Sequence, residues 1–307
     1  MIFHRAKIVS KLALIALVVG LSFNSAYVQA DQILYVANQG STITEYNSSG
    51  SLIGTITANV SSPLGLAVNS SGNLFVVNAN DSTIREYNSS GSLIGSISTS
   101  VSVPVGLAFN SSGDLYVADY GNSTIWEYNS GGSLIDMITT SVHRPYALAM
   151  NSSGDLYVAN GNDTITEYNS GGSLIGTITA SVNSPSGLAV NSSGDLYVAN
   201  HINSTITEYN SGGSLIGTIT ASVSYPDGLA VNSSGDLYVA NSYNNTITEY
   251  NPSGSLIGTI SGASLNSPMF LAFGSSSAVP EPSSFVLLGI GALVCGGYGW
   301  RKKKSTG

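Results

Sequence analysis

Short apolar stretches alternate with polar turns along the chain from residue 32 to residue 273. Runs rich in Val, Ile, Leu and Tyr, such as Leu34-Tyr35-Val36-Ala37 and Thr42-Ile43-Thr44-Glu45-Tyr46, predict β-strands. Between them recur Asn-Ser-Ser-Gly and Asn-Ser-Gly-Gly. Asn and Gly tolerate the positive φ that tight hairpins require, and Asn and Ser side chains satisfy nearby backbone groups. Apolar residues fall on both parities of a strand: Ile43 with Tyr46, and Leu34 and Val36 with Tyr35. Both faces of each small sheet must therefore be covered.

The same four elements recur six times in one order: Pro-x-x-Leu-Ala, Leu-Tyr-Val-Ala-Asn, Thr-Ile-Thr-Glu-Tyr-Asn and Ser-Leu-Ile-Gly-Thr-Ile. The second begins at Leu34, Leu74, Leu115, Leu156, Leu196 and Leu237, spacings of 40 or 41 residues. A period of roughly 40–45 residues with four strands per unit is the signature of a β-propeller. The ends argue for closure. Ile33 to Asn38 is a strand of the second type and Pro268 to Phe273 one of the first type. Together they complete a blade and leave no open edge. A β-solenoid gives no reason for such complementary ends. The prediction is an all-β, six-bladed propeller over residues 31–274, closed by pairing of its N-terminal and C-terminal strands.

Charge sharpens the picture. Residues 31–274 hold sixteen acidic residues against Arg85 and Arg144, a net charge of about −14, and contain no lysine. Such a body repels phosphate backbones and anionic lipid surfaces, which argues against nucleic-acid binding. The single cysteine, Cys295, lies outside this region, so stability must come from sheet packing rather than disulfides.

Both ends read as targeting segments. Arg5, Lys7 and Lys11 precede the apolar run Leu12 to Leu21, and Val28-Gln29-Ala30 offers small residues for cleavage before Asp31. Residues 1–30 are thus expected to be a secretory signal peptide. Residues 275–284 form a linker containing Val279-Pro280-Glu281-Pro282. An uncharged stretch follows at 285–300, then a basic tail at 301–307 with Arg301-Lys302-Lys303-Lys304. Sixteen helical residues span about 24 Å, short of the ~30 Å hydrocarbon core, which makes 285–300 a marginal transmembrane segment. The Pro-Glu-Pro motif, short hydrophobic segment and basic cluster together resemble the PEP-CTERM sorting tail of bacterial envelope proteins. That resemblance implies an exosortase as partner, transient anchoring in the inner membrane of a Gram-negative cell, and then the cell surface or secretion.

The unit Gly-Leu-Ala-x-Asn-x-x-Gly-Asp-Leu-Tyr-Val-Ala-Asn/Asp resembles the NHL repeat, most clearly from Gly106 to Asp119. One departure matters. NHL units commonly start the third strand with Arg, where these have Thr, so the family's polyanion binding is not expected here.

Residues that break the repeat are better candidates for a site than residues present six times. Tyr120, Tyr146, Tyr225 and Tyr243 occupy no repeated position. They fall, with His143, Arg144, His201 and Asp227, in the connections between second and third strands or leading into a first strand. In an up-and-down blade those connections share one face of the disc. Aromatic rings with a few polar groups suit stacking on sugars or clamping a peptide. No catalytic constellation or metal-ligand spacing is evident, so neither catalytic residues nor a cofactor are expected. Asn160-Gly161-Asn162-Asp163 carries oxygens that suit Ca²⁺, but turn formation explains them as well.

The expected function is a monomeric, non-enzymatic interaction module of the cell surface or matrix, with exopolysaccharide or another envelope protein as partner. Two alternatives stand beside it. One is a propeller enzyme of lyase or lactonase type, suggested by resemblance of the Ile-Thr-Glu-Tyr segments to virginiamycin B lyase-type propellers. The other is a passive spacer.

Overall fold

The computed structural model describes residues 32–98 and 100–275. They form twenty-four strands, β1 (Gln32–Asn38) to β24 (Pro268–Ser275), in six antiparallel four-stranded sheets. Blade 1 has the order β24-β1-β2-β3. Blades 2 to 6 take four consecutive strands each: β4 (Pro63–Val68) to β7 (Leu93–Ser98), β8 (Pro104–Phe109) to β11 (Leu134–Ile138), β12 (Pro145–Met150) to β15 (Leu174–Ile178), β16 (Pro185–Val190) to β19 (Leu215–Ile219), and β20 (Pro226–Val231) to β23 (Leu256–Ser261). The first-type strands touch in a closed cycle, β24–β4–β8–β12–β16–β20–β24, and so line the axis. Closure is as expected: β1 pairs with β24 through Leu34 and Phe273, Tyr35 and Ala272, and Val36 and Leu271.

Burial follows the radius. Second strands such as β13 (Leu156–Asn160) and β17 (Leu196–Asn200) are buried along their whole length, covered on both faces by neighbouring blades. Outer strands differ from the expectation of full cover. Leu52 and Ile53 are about half exposed, and so are their counterparts, because blades diverge as the radius grows. Inner strands press hardest. A Cβ on Gly187 would lie 2.1 Å from the Asp227 carbonyl of the next blade, and one on Gly228 would lie 2.5 Å from that of Met269. Opposite blades 1 and 4 carry Phe270 and Ala147 at that position instead.

Buried asparagines tie each blade together. Asn160, wholly buried, accepts from the His143 N–H at 2.9 Å and donates from Nδ2 to Thr166 Oγ1 at 2.9 Å. Asn38, Asn200 and Asn241 repeat this with Thr44, Thr207 and Thr248. Between blades, the Tyr168 hydroxyl donates to the Thr140 carbonyl and that of Tyr209 to Ala180, both at 2.6 Å.

The described residues contain no helix, and thus none long and apolar enough to cross a membrane. The expected signal peptide, linker, transmembrane segment and basic tail lie outside the described residues.

Candidate functional site

A cavity of about 520 Å³ opens where the inner strands begin. Its wall includes Tyr120, Arg144, Tyr146, His201 and Asp227, five of the eight residues singled out from the sequence. Tyr225 and Tyr243 extend it outward. The His201 and Tyr225 rings meet edge-on at 5.3 Å, and Tyr225 and Tyr243 lie 5.4 Å apart. Tyr243 is 76% exposed, so this aromatic strip runs from a half-buried histidine into solvent. His143 stands apart, exposed and outside the cavity wall, with Nδ1 at 3.3 Å from the Ser141 carbonyl.

Two residues occupy places different from those expected. Tyr146 and Asp227 are not in connecting loops but are the second residues of β12 and β20. The residue after proline in each inner strand is Met269, Leu64, Val105, Tyr146, Ser186 or Asp227, different in every blade. Leu64 and Val105 join the apolar core, whereas Tyr146, Ser186, Asp227 and Met269 line the cavity. Ser186 and Met269 escaped notice in the sequence, although six different residues at one repeat position was the available signal.

The residue before proline is equally constrained. Ser62, Arg144, Ser184, Tyr225 and Ser267 all have φ between 45 and 49°. With Val103 of blade 3 the exception, five of the six blades thus share this backbone shape. Each N–H is capped from the preceding blade, as where Ser123 Oγ accepts from Arg144 and Ser204 Oγ from Tyr225. Holding bulky side chains at positive φ costs on the order of 1–3 kcal/mol each. Only Arg144 and Tyr225 incur that cost with a large side chain; Arg144 lines the cavity and Tyr225 packs against the lining residue His201.

Asp227, 6% exposed at its side chain, accepts from His201 Nδ1 at 3.0 Å. That bond is the main reason the imidazole pKa lies above its ordinary value, with burial opposing it. Ser186 Oγ donates to the Pro226 carbonyl at 2.7 Å and steadies the same strand. The Tyr146 hydroxyl stays neutral because burial, then the Asp227 charge, raises its pKa. Its ring stacks on Phe270 of the opposite blade at 5.8 Å and 26°. A small cavity of about 40 Å³, bordered by inner strands of all six blades and by Phe270, lies on the other side of that pair. The Tyr146–Phe270 stack thus plugs the axis and floors the site. On the rim, the Arg144 guanidinium lies over the Tyr120 ring at 5.9 Å.

Among the described residues, no group of three or more His, Cys, Asp or Glu is placed to hold a metal. Asn162 and Asp163 already have partners: Asn162 Oδ1 accepts from Thr164 within its turn, and Asp163 Oδ1 from the Ser184 N–H of the next blade. The repeated acids also have local partners. Tyr116 donates to Glu127 at 2.6 Å, and Asn110 Nδ2 to Asp114 at 3.0 Å.

The fold and its repeated unit define a six-bladed β-propeller with NHL-like repeats. The NHL repeat family matches residues 102–128, 182–209 and 223–250. The PEP-CTERM protein-sorting motif matches residues 278–304, which marks the chain as an exported protein of the exosortase-sorted kind. No curated protein sequence matches the chain. Similar solved structures include a chain of a nidogen/laminin complex, with 14% identity and TM-score 0.71 over 80% of this chain and 99% of that one. A streptogramin B lyase gives 14% and 0.61 over 80% and 92%. The virginiamycin B lyase of Staphylococcus aureus gives 14% and 0.59 over 77% and 85%. At such identity the likeness concerns the fold alone.

Proposed function

We propose that the protein is a non-enzymatic interaction module of the bacterial cell surface or exopolysaccharide matrix, and that the cavity face is its binding surface. An exosortase-type enzyme delivers it through the PEP-CTERM tail. The convergence of Tyr120, Arg144, Tyr146, His201 and Asp227 on one cavity carries this reading. These residues break a repeat that is otherwise close to uniform, and they meet in space although 107 residues separate the first from the last. A cavity of about 520 Å³ lies within the roughly 300–1,000 Å³ usual for ligand sites. The adjoining strip of Tyr225 and Tyr243 gives an extended ligand flat surfaces outside the cavity. The opposite face carries near-identical Asn-Ser-Gly-Gly turns, whose side chains are occupied with their own backbone.

The test is retention on the native matrix and on a glycan array. Replacing Tyr120, Tyr225 and Tyr243 with alanine should abolish retention, while substitutions of Ser170 and Ser211 in the opposite turns should not. If the turn variants lose binding and the tyrosine variants keep it, the face is wrongly assigned.

One observation favours a lyase as second reading. His201 is fixed through Nδ1 by a buried carboxylate, an arrangement that can aim Nε2 as a general base. Conversion of a streptogramin B by the protein, lost in His201→Gln, would replace the binding-module reading with this one.

A further inference from the structure

The described residues contain two arginines, no lysine and two histidines. Arg85 pairs with Asp81 at 3.1 Å. Arg144 forms no ion pair among them and lies on the cavity rim over Tyr120. His201 lines the same cavity. The propeller's one unpaired arginine and its one histidine with a carboxylate partner therefore share one cavity of an otherwise strongly acidic protein.

The acids are distributed the other way. Asp114, Asp155, Asp195 and Asp236 belong to turns on the opposite face, each accepting from an Asn Nδ2. Glu127 and Glu249 accept from tyrosine hydroxyls near that end of their blades. On the cavity side, Asp119 is wholly buried and accepts from the backbone N–H groups of Ser102, Val103 and Asn122. Asp81 is paired with Arg85, Asp227 with His201, and the exposed Asp163 accepts from the Ser184 N–H. The carboxylates nearest the cavity already have partners, which leaves Arg144 free to meet one from a ligand.

Resting on the proposed binding role, we infer that the cavity recognises the carboxylate of an acidic saccharide, a uronate residue, with Arg144 as its anchor and His201 as a second donor. Guanidinium is suited to a planar carboxylate because two parallel N–H groups match its two oxygens. Aromatic faces favour a sugar over a bare acid. Tyr120 lies beneath the guanidinium, and the Tyr225–Tyr243 strip gives neighbouring residues of a chain a place to stack. His201 donates from Nε2 only when protonated, because Nδ1–H is committed to Asp227. The groups facing that imidazole are the Asp227 carboxylate and the Tyr225 ring, with Tyr146, Tyr120 and Arg144 in the same cavity. Asp227 is the one negative charge among them, and its hydrogen bond holds the imidazole pKa above its ordinary value.

The experiment measures binding of the full chain to oligomers of galacturonate, glucuronate and mannuronate, each beside its carboxyl-reduced counterpart, and to peptides ending in a free carboxylate. At least one uronate oligomer should bind tenfold or more tightly than its reduced counterpart. The advantage should fall as salt rises and as pH passes above the His201 titration. Arg144→Ser suits the backbone, since serine holds this conformation at Ser62, Ser184 and Ser267. It should remove the tenfold advantage, and Arg144→Lys should restore part of it. Equal binding of acidic and reduced sugars would overturn the uronate assignment and leave the binding module standing. An Arg144-dependent peptide that binds more tightly than every saccharide would overturn the saccharide class. Absence of binding to any saccharide or peptide would overturn both the inference and the reading beneath it.

Discussion

Asp119 and Trp126 depart from the repeat together. Where Asn160 donates from Nδ2 to Thr166 Oγ1, blade 3 has an acceptor-only aspartate and no threonine hydroxyl to receive a donor. Asp119 instead accepts four hydrogen bonds, from the N–H groups of Ser102, Val103 and Asn122 and from Asn122 Nδ2. Blade 2 solves a related mismatch. Arg85 replaces the threonine there, and Asn78 donates to the Asn59 carbonyl at 2.7 Å. A third exchange involves Phe75, which lacks the hydroxyl that reaches Glu127 in blade 3. Asn73 stands there in place of aspartate and supplies Glu86 with a donor at 2.8 Å.

These pairs predict a coupling. Asp119→Asn puts an amide NH₂ where donors already converge and should cost about 1–3 kcal/mol. Adding Trp126→Thr should recover a good part of that loss by restoring the acceptor. Urea unfolding of both single variants and the double variant measures the interaction, and strict additivity would refute it.

The Tyr146–Phe270 stack separates one tyrosine from the other candidates. Tyr146→Ala removes a largely buried ring that joins opposite blades and should lower stability by about 3 kcal/mol, toward the low end for truncating a buried aromatic. Tyr243→Ala, at a 76% exposed position, should change it by less than about 0.5 kcal/mol. Thermal melting of the two variants compares them directly.

Stability should also respond to pH through His201. Its folded pKa lies above the unfolded value of about 6.5, chiefly because of the bond to Asp227. The bond's contribution is therefore complete below about pH 6.5 and declines as pH rises through the higher folded value. Tm followed from pH 5 to 9 should fall less steeply above neutrality in Asp227→Asn than in the parent. Identical profiles would mean that the pair does not titrate as described.

Closure can be tested by deletion. Removing residues 268–275 takes away β24, opens the inner edge of β1, uncovers β4 and β20 where they pack against β24, and leaves the cavity without Met269. The truncated protein should aggregate or lose cooperative melting, as exposed edges seek partners. A monomer that melts like the parent would show that the ring does not depend on this strand.

The sorting tail has its own test. In a host with an exosortase, replacing Pro280-Glu281-Pro282 with alanines should leave a membrane-retained form of higher mass. Processing identical to the parent would show that the motif is not read.

The sequence by itself determined the blade, the number of blades and the closing strand. Strand type and turn chemistry are local properties, and a repeat applies them six times at spacings of 40 or 41 residues. Complementary ends then leave one way to satisfy every inner edge. It also showed which residues break the repeat, and so brought Tyr120, Arg144, His201 and Asp227 to attention. Only the tertiary structure decided what those departures form together. Tyr146 reads as a loop residue beside a proline, yet it becomes the floor of the cavity because Phe270, 124 positions away, meets it across the axis. His143 and Arg144 are adjacent in the chain, yet only Arg144 lines the cavity, since the left-handed turn before Pro145 sends neighbouring side chains different ways. Contacts across a ring join residues separated by several blades, and their pairing depends on which blades lie opposite or adjacent once the ring has closed.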